Sequence, residues 1–260
     1  MAMAPWYCVC AGLVGRTWKR RARARWSIAG KVPPVDLFPL VGRVLCDIMA
    51  ARVVIVPLFS DNYAYLLIDV VSRLAAAVDP AEPLKIAAAL EAENVKLDSI
   101  LTTHSHADHA GGNVEMARLY PGIKVYGGRG DGADGVTEEV WDGSVVKVGS
   151  LEVHVIATPC HTPGHVSYSV PGGPSSTGCV FTGDTLFIAG CGNFNSGTPA
   201  FMHDAFSKLG ALPRSTLVYA GHEYTISNLQ FASLVEPDNK AIAKKLEWAQ
   251  SQRVQGLFTD

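Results

Sequence analysis

Hydrophobic and polar positions alternate, run and break along this chain in a way that predicts mixed strands and helices from about residue 51 onward. Arg52–Leu58 and Tyr63–Ile68 are rich in Val, Ile, Leu and Tyr, and Ser60-Asp61-Asn62 supplies turn chemistry between them, so the two predict a β-hairpin. Leu74–Val78 reads as a third strand, stopped by Asp79-Pro80. Glu82–Asn94 carries apolar residues at Leu84, Ala87, Ala88 and Leu90, a helical spacing. Leu97–Leu101 is then a strand running straight into a histidine-rich loop. Gly112–Leu119 predicts a helix, Ile123–Tyr126 a short strand, and 127–135 a Gly/Asp-rich loop. Val145–Val148 and Leu151–Ala157 form a second hairpin around Gly149-Ser150, and Val166–Val170 and Cys179–Thr182 are strands separated by the Pro/Gly/Ser segment 171–178. Pro199–Leu209 predicts a helix, Thr216–Ala220 a strand, and Ile226–Gln252 a mostly helical tail. Hairpins mixed with helices argue against a purely doubly wound sheet.

Composition narrows the class. With 260 residues, 48% hydrophobic and 18% charged, the chain is long enough for a sizeable core, and a net charge of −2 leaves no broad basic field for nucleic acid or a membrane surface. Six cysteines (Cys8, Cys10, Cys46, Cys160, Cys179, Cys191) are scattered without CxxC pairs, so a reducing compartment is expected, with Cys160 and Cys191 as buried, inert thiols. Residues 1–35 differ: they hold Arg16, Lys19, Arg20, Arg21, Arg23, Arg25 and Lys31 and no acidic residue. That bias predicts a mitochondrial targeting extension over 1–48, with a plastid or cytoplasmic destination as alternatives.

The chemistry concentrates in Thr103-His104-Ser105-His106-Ala107-Asp108-His109. Neutral imidazole nitrogens and a carboxylate are the donors a borderline divalent metal takes. His104 and His106, two apart, can face one ion, and Asp108 and His109 can face a second. A lone histidine is more often solvated or hydrogen-bonded, but three with an aspartate in six residues predict a metal site, and a binuclear one. Further donors lie in three later segments, each beginning where a predicted strand ends: Thr158-Pro-Cys-His-Thr-Pro-Gly-His165, Phe181-Thr-Gly-Asp-Thr-Leu-Phe187 and Ala220-Gly-His-Glu-Tyr-Thr225. Each sets a His or Asp beside glycine, where backbone can approach an ion closely.

Taken in order, His104-Ser-His106-Ala-Asp108-His109, His161, Asp184 and His222 resemble the metallo-β-lactamase superfamily. The segments around His161, Asp184 and His222, together with Ala189-Gly-Cys-Gly192, resemble its glyoxalase II (hydroxyacylglutathione hydrolase) branch, over about Val53 to Ala249. The resemblance implies an α/β (αββα) sandwich of two mixed β-sheets flanked by helices, a catalytic domain over 49–225, and at 226–260 a truncated remnant of a helical glutathione-binding domain. It implies one metal on His104, His106 and His161, a second on Asp108, His109 and His222, and Asp184 bridging them, with His165 supporting the site from behind. Two divalent ions are implied, zinc by default, with iron or manganese accepted. Asp108 and Asp184 would orient the hydroxide that attacks the thioester of S-D-lactoylglutathione, giving D-lactate and glutathione in methylglyoxal detoxification. No side-chain nucleophile is needed, and a monomer with a small-molecule substrate, no nucleic acid and no membrane is expected. Tyr224 matches a glutathione-contacting tyrosine. The family's lysine and following aromatic are replaced by Asn193 and Asn195, and the basic C-terminal segment is missing, so weaker glutathione binding is expected. The alternatives are a mono-iron persulfide dioxygenase, which shares the His-x-His-Ala-Asp-His look, and a metal-binding isoform with little turnover.

Overall fold

A computed structural model describes residues 51–173 and 177–259. The basic stretch of residues 1–35 and the extension to 48 lie outside the described residues, as does the middle of the 171–178 connection.

Among the described residues, eleven strands form two sheets. The first has the order β1-β2-β3-β4-β5-β6: β1 (Ala51–Leu58), β2 (Asn62–Asp69), β3 (Leu74–Val78), β4 (Lys96–Thr102), β5 (Lys124–Gly128) and β6 (Glu138–Val140). The second has the order β11-β10-β9-β8-β7: β7 (Val145–Val148), β8 (Leu151–Ala157), β9 (Val166–Val170), β10 (Cys179–Gly183) and β11 (Leu217–Ala220). Both are mixed. β1, β2 and β3 pair antiparallel, and β3 through β6 pair parallel. The second sheet is antiparallel except for its β10–β11 edge.

The core follows from side-chain alternation. In β2 every residue is buried. Tyr63, Tyr65 and Leu67 point to the second sheet, where Val153, Tyr168, Phe181 and Tyr219 meet them. Ala64, Leu66 and Ile68 point outward onto a helical layer with Ile86, Leu90 and Met116. That layer consists of α1 (Pro83–Glu93) and α3 (Asn113–Leu119), which touch each other. On the second sheet, α4 (Pro199–Gly210) turns Met202, Ala205 and Leu209 inward and contacts β8. The helices α5 (Thr225–Val235) and α6 (Lys240–Val254) pack on each other through Leu229, Ile242 and Ala249. The result is the expected αββα sandwich.

The helix expected over Glu82–Asn94 forms as α1, opened by Pro83 and closed by Asn94 in a left-handed conformation. Of its apolar residues Leu90 is buried beside Ile86 and Ala89, whereas Leu84 is 78% exposed. Two local expectations change. β6 lies beyond a loop that gave no strand signal, at residues whose sequence is Glu-Glu-Val; it is an edge strand with two exposed charges, which the alternation argument does not detect. Cys160 is buried as expected, but Cys191 is exposed, because Ala189-Gly-Cys-Gly sits on a turn at the molecular surface rather than against the core.

Candidate metal centre

All the donor segments emerge at one end of the sandwich. β3, β4, β8, β10 and β11 end there, and β2 begins there. After β4 the chain runs extended to His106 (φ −61°, ψ 144°), which caps a single helical turn, α2 (Ala107–Ala110). The extended part aims His104 and His106 one way, and the helical turn carries Asp108 and His109 to the other side.

Two groups of donors result. His106 Nδ1 lies 3.1 Å from His104 Nε2 and 3.0 Å from His161 Nε2. On the other side, His109 Nε2 and His222 Nε2 are 3.3 Å apart, with Asp108 Oδ2 at 3.7 and 3.4 Å from them. Asp184 lies between: its Oδ2 is 3.4 Å from His161 Nε2, and its Oδ1 is 3.3 Å from His109 Nε2 and 3.4 Å from His222 Nε2. Asp184 reaches this position because the β10–β11 register shifts between Phe181 and Gly183, and Gly183 turns with φ +46°. Gly221 is required for space: a Cβ there would sit 2.5 Å from Asp184 Oδ1 and 2.8 Å from the His109 ring.

In His104, His109, His161 and His222 the partner of the second nitrogen fixes the tautomer. His109 Nδ1 donates to Asp79 Oδ2 (2.9 Å), His222 Nδ1 to Asp61 Oδ1 (2.9 Å) and His161 Nδ1 to the Asn193 carbonyl (2.9 Å). The Thr103 hydroxyl donates to Asp79 at 2.7 Å and so accepts from His104 Nδ1 at 3.0 Å. Four Nε2 atoms are thereby turned into the site. His165, fully buried, stands behind: its Nε2 accepts the Asp184 amide at 3.2 Å, and Thr158 and Thr185 hydroxyls flank its Nδ1.

These donors fit divalent ions. Acceptors facing one another at about 3 Å repel unless a cation lies among them, and the buried Oδ1 of Asp184 has no hydrogen-bond donor. A tetrahedral ion with bonds of about 2.0–2.1 Å spaces its donors roughly 3.4 Å apart, close to the separations found here. The sets His104/His106/His161 and Asp108/His109/His222 each have their donor atoms within 4.8 Å of one another.

Charge is divided unevenly. Burial lowers the pKa of His104 well below the ordinary value, neighbouring imidazoles adding to the effect, and burial lowers that of His161 too. Without an ion in the site, burial would also lower His109, but the carboxylates of Asp184 and Asp79 carry it up to about 10, and His222 is raised by Asp184 and Asp61 against the same penalty; a cation bound to either Nε2 takes the place of the proton. Asp184 is held far below the carboxylate range by His109 and His222 despite its burial. Burial takes His165 down to about 3, so it stays neutral.

Of the residues named from sequence, His104, His106, Asp108, His109, His161, Asp184 and His222 all meet at this end. Tyr224 stacks on the His222 ring at 4.6 Å and 8°. Asn193 and Asn195 are exposed at the rim; the carbonyl of Asn193, not its side chain, is what contacts His161. Sequence reasoning missed Asp79, which read only as a strand stop, and the roles of Asp61 and Asn62, which read as turn residues. Asn62 Nδ2 donates to Asp108 Oδ2 at 2.8 Å. The available signal was their position at the same strand ends as the ligand loops.

Comparison with known proteins gives consistent relatives. The sequence model of the metallo-beta-lactamase superfamily matches residues 58–222, and that of the hydroxyacylglutathione hydrolase C-terminus matches residues 223–259. A cytoplasmic hydroxyacylglutathione hydrolase of Arabidopsis thaliana is 48% identical over 206 residues, covering 78% of this chain and 80% of that protein. Among solved structures, ETHE1 from Myxococcus xanthus is similar with a TM-score of 0.57 at 32% identity, over 67% of this chain and 76% of that one. TTHA1623, solved in a di-iron-bound form, has a TM-score of 0.52 at 27% identity, over 62% of this chain and 87% of that one.

Proposed function

Because the chain belongs to the metallo-β-lactamase superfamily and, within it, to the hydroxyacylglutathione hydrolases, we propose that it hydrolyses S-D-lactoylglutathione to D-lactate and glutathione with two divalent ions. The enzyme class is a thioester hydrolase. The finer reading is carried by the Asp184 carboxylate, whose two oxygens are apportioned between two donor groups. His104, His106 and His161 would hold one ion and Asp108, His109 and His222 the other. Bound there, two such ions supply a water of lowered pKa and polarise a carbonyl. Zinc is the default for this donor set, which also suits iron or manganese.

The protein's own groups do the rest. Asp108, fixed by Asn62, and Asp184, fixed through its amide by His165, orient the attacking water. Its oxygen bonds to the acyl carbon as one proton passes to solvent, the C–S bond breaks, and the thiolate leaves without a strong general acid and takes up a proton from water, while the new acid group loses its own proton to solvent and departs as carboxylate. Cys160 takes no part: burial pushes its thiol pKa up, and its Sγ faces the Thr198 carbonyl. Tyr224, raised to about 12 by burial and by Asp61, Asp184 and Asp108, stays a phenol and can donate to the glutathione peptide. We place the enzyme, as a monomer, in the mitochondrion on the basic character of residues 1–35. Among the described residues no helix is long and apolar enough to cross a membrane.

The test is release of glutathione from S-D-lactoylglutathione by protein stripped with a chelator and then reloaded with zinc. Turnover that is lost and regained supports the reading. Absent hydrolysis at full metal loading, or oxygen uptake with glutathione persulfide instead, contradicts it.

A further inference from the structure

Glu223 follows His222 and points the opposite way. Its carboxylate is 8% exposed, and every group around it is supplied by two distant pieces of chain. From the start of β2, the Tyr63 hydroxyl donates to it at 2.6 Å. From α6 and the segment after it, Arg253 lies at 3.5 Å, the amide of Thr259 donates at 3.2 Å, and the Thr259 hydroxyl also donates. Thr259 is itself 2% exposed, and Phe258 packs edge-on against the Tyr63 ring at 5.3 Å.

The same short stretch is tied to the donor group on its other face. The Glu223 amide donates to the Asp61 carbonyl at 2.8 Å, the Tyr63 amide donates to the Gly221 carbonyl at 2.9 Å, and Asp61 holds His222 Nδ1. Asp61, Asn62 and Tyr63 therefore serve three consecutive purposes: holding His222, holding Asp108, and reaching Glu223. Among the described residues nothing comparable reaches His104 or His161, whose supports are Thr103 and the Asn193 carbonyl.

We propose that Glu223 is a positioning residue that makes the Asp108/His109/His222 donor group, and not the His104/His106/His161 group, depend on the segment Phe258–Thr259. A buried carboxylate is costly unless all its donors are present, so losing the tail's share would let Glu223 turn toward water and drag its neighbour His222 with it. This inference rests on the two-ion reading above and concerns only how one of the two groups is held.

The experiment is zinc titration of the metal-free protein against a chromophoric chelator, for wild type, Thr259→Val and Tyr63→Phe, with His222→Ala as the reference that identifies the equivalent belonging to this group. The expected result is one equivalent bound as in wild type and the other weakened on the order of tenfold, with the unfolding temperature of the metal-free protein little changed. Both equivalents unchanged, or both weakened alike, would overturn the inference while leaving the two-ion reading standing. A wild-type chain that binds fewer than two equivalents would overturn both. Glu223→Gln, which keeps the shape but not the charge, is expected to lie between wild type and Thr259→Val.

Discussion

The two ends of the β-sandwich each bury an aspartate, and they treat it in opposite ways. At the end away from the histidines, Asp69 accepts from the Val71 amide (2.9 Å), the Ser72 hydroxyl (2.7 Å), and the amide (2.6 Å) and hydroxyl (2.8 Å) of Ser150. It is 0% exposed and joins the β2–β3 turn of one sheet to the β7–β8 turn of the other. Its hydrogen-bonding capacity is met by neutral donors. At the histidine end, Asp184 is nearly as buried, yet its Oδ1 makes no well-formed hydrogen bond and faces the imidazole nitrogens of His109 and His222 at 3.3 and 3.4 Å. A saturated carboxylate fastens a fold; an unsaturated one among lone pairs is a place for a cation.

The largest expected difference between the ends is in catalysis. Asp184→Ala is expected to lower thioester hydrolysis on the order of 10³-fold or more, while the protein keeps a cooperative unfolding transition. Asp69→Ala is expected to leave turnover per folded molecule unchanged and to destabilise by about 2–4 kcal/mol, from several lost bonds to one buried group. Turnover measured beside urea unfolding on both variants separates the two roles, and loss of stability without loss of activity in Asp184→Ala would reverse them.

Acid adds a second contrast. Burial would raise Asp69, but the Ser150 amide and the hydroxyls of Ser72 and Ser150 bring it down to about 2 from an ordinary 3.8. A folded pKa below the unfolded one means stability that is fully present above pH 3.8 and lost as pH falls from there toward 2. The difference in urea midpoint between wild type and Asp69→Asn is expected to shrink across that window. A difference that stays constant would show that the charge on Asp69 contributes nothing.

How much of this was legible in sequence divides along the same line. The donor residues could be read because metal chemistry restricts residue type and spacing: no ordinary loop needs His-x-His-x-Asp-His. The strands of the core were legible because they are short runs rich in Val, Ile, Leu and Tyr bounded by turn residues, as in β2, where every residue is buried. Supporting residues were not. Asp79 and Asp69 occur in contexts that any turn would accept, and only the folded structure shows that one meets His109 and the other Ser150. Which apolar residues of α1 are covered is set in the same way by tertiary packing: Leu90 is buried and Leu84 is exposed, although both belong to the same helical spacing.

The smallest expected effect is at the rim. Asn193 is exposed beside His161, where its carbonyl, not its side chain, makes the supporting contact. Asn193→Lys is expected to keep that contact and to lower KM for S-D-lactoylglutathione roughly fivefold at unchanged kcat, the value of about 1 kcal/mol for a solvent-screened ionic contact. An unchanged KM would mean that the rim at this position does not meet the glutathione peptide.

The proposed reading is that the histidine end would hold two ions, with Asp184 serving both donor groups. Metal content per chain, determined by elemental analysis after zinc loading and desalting, tests it most directly. Two zinc ions per wild-type chain, falling below one in Asp184→Ala, is the expected result. A wild-type chain retaining only one ion or a trace, or an Asp184→Ala chain that still retains two, would contradict it.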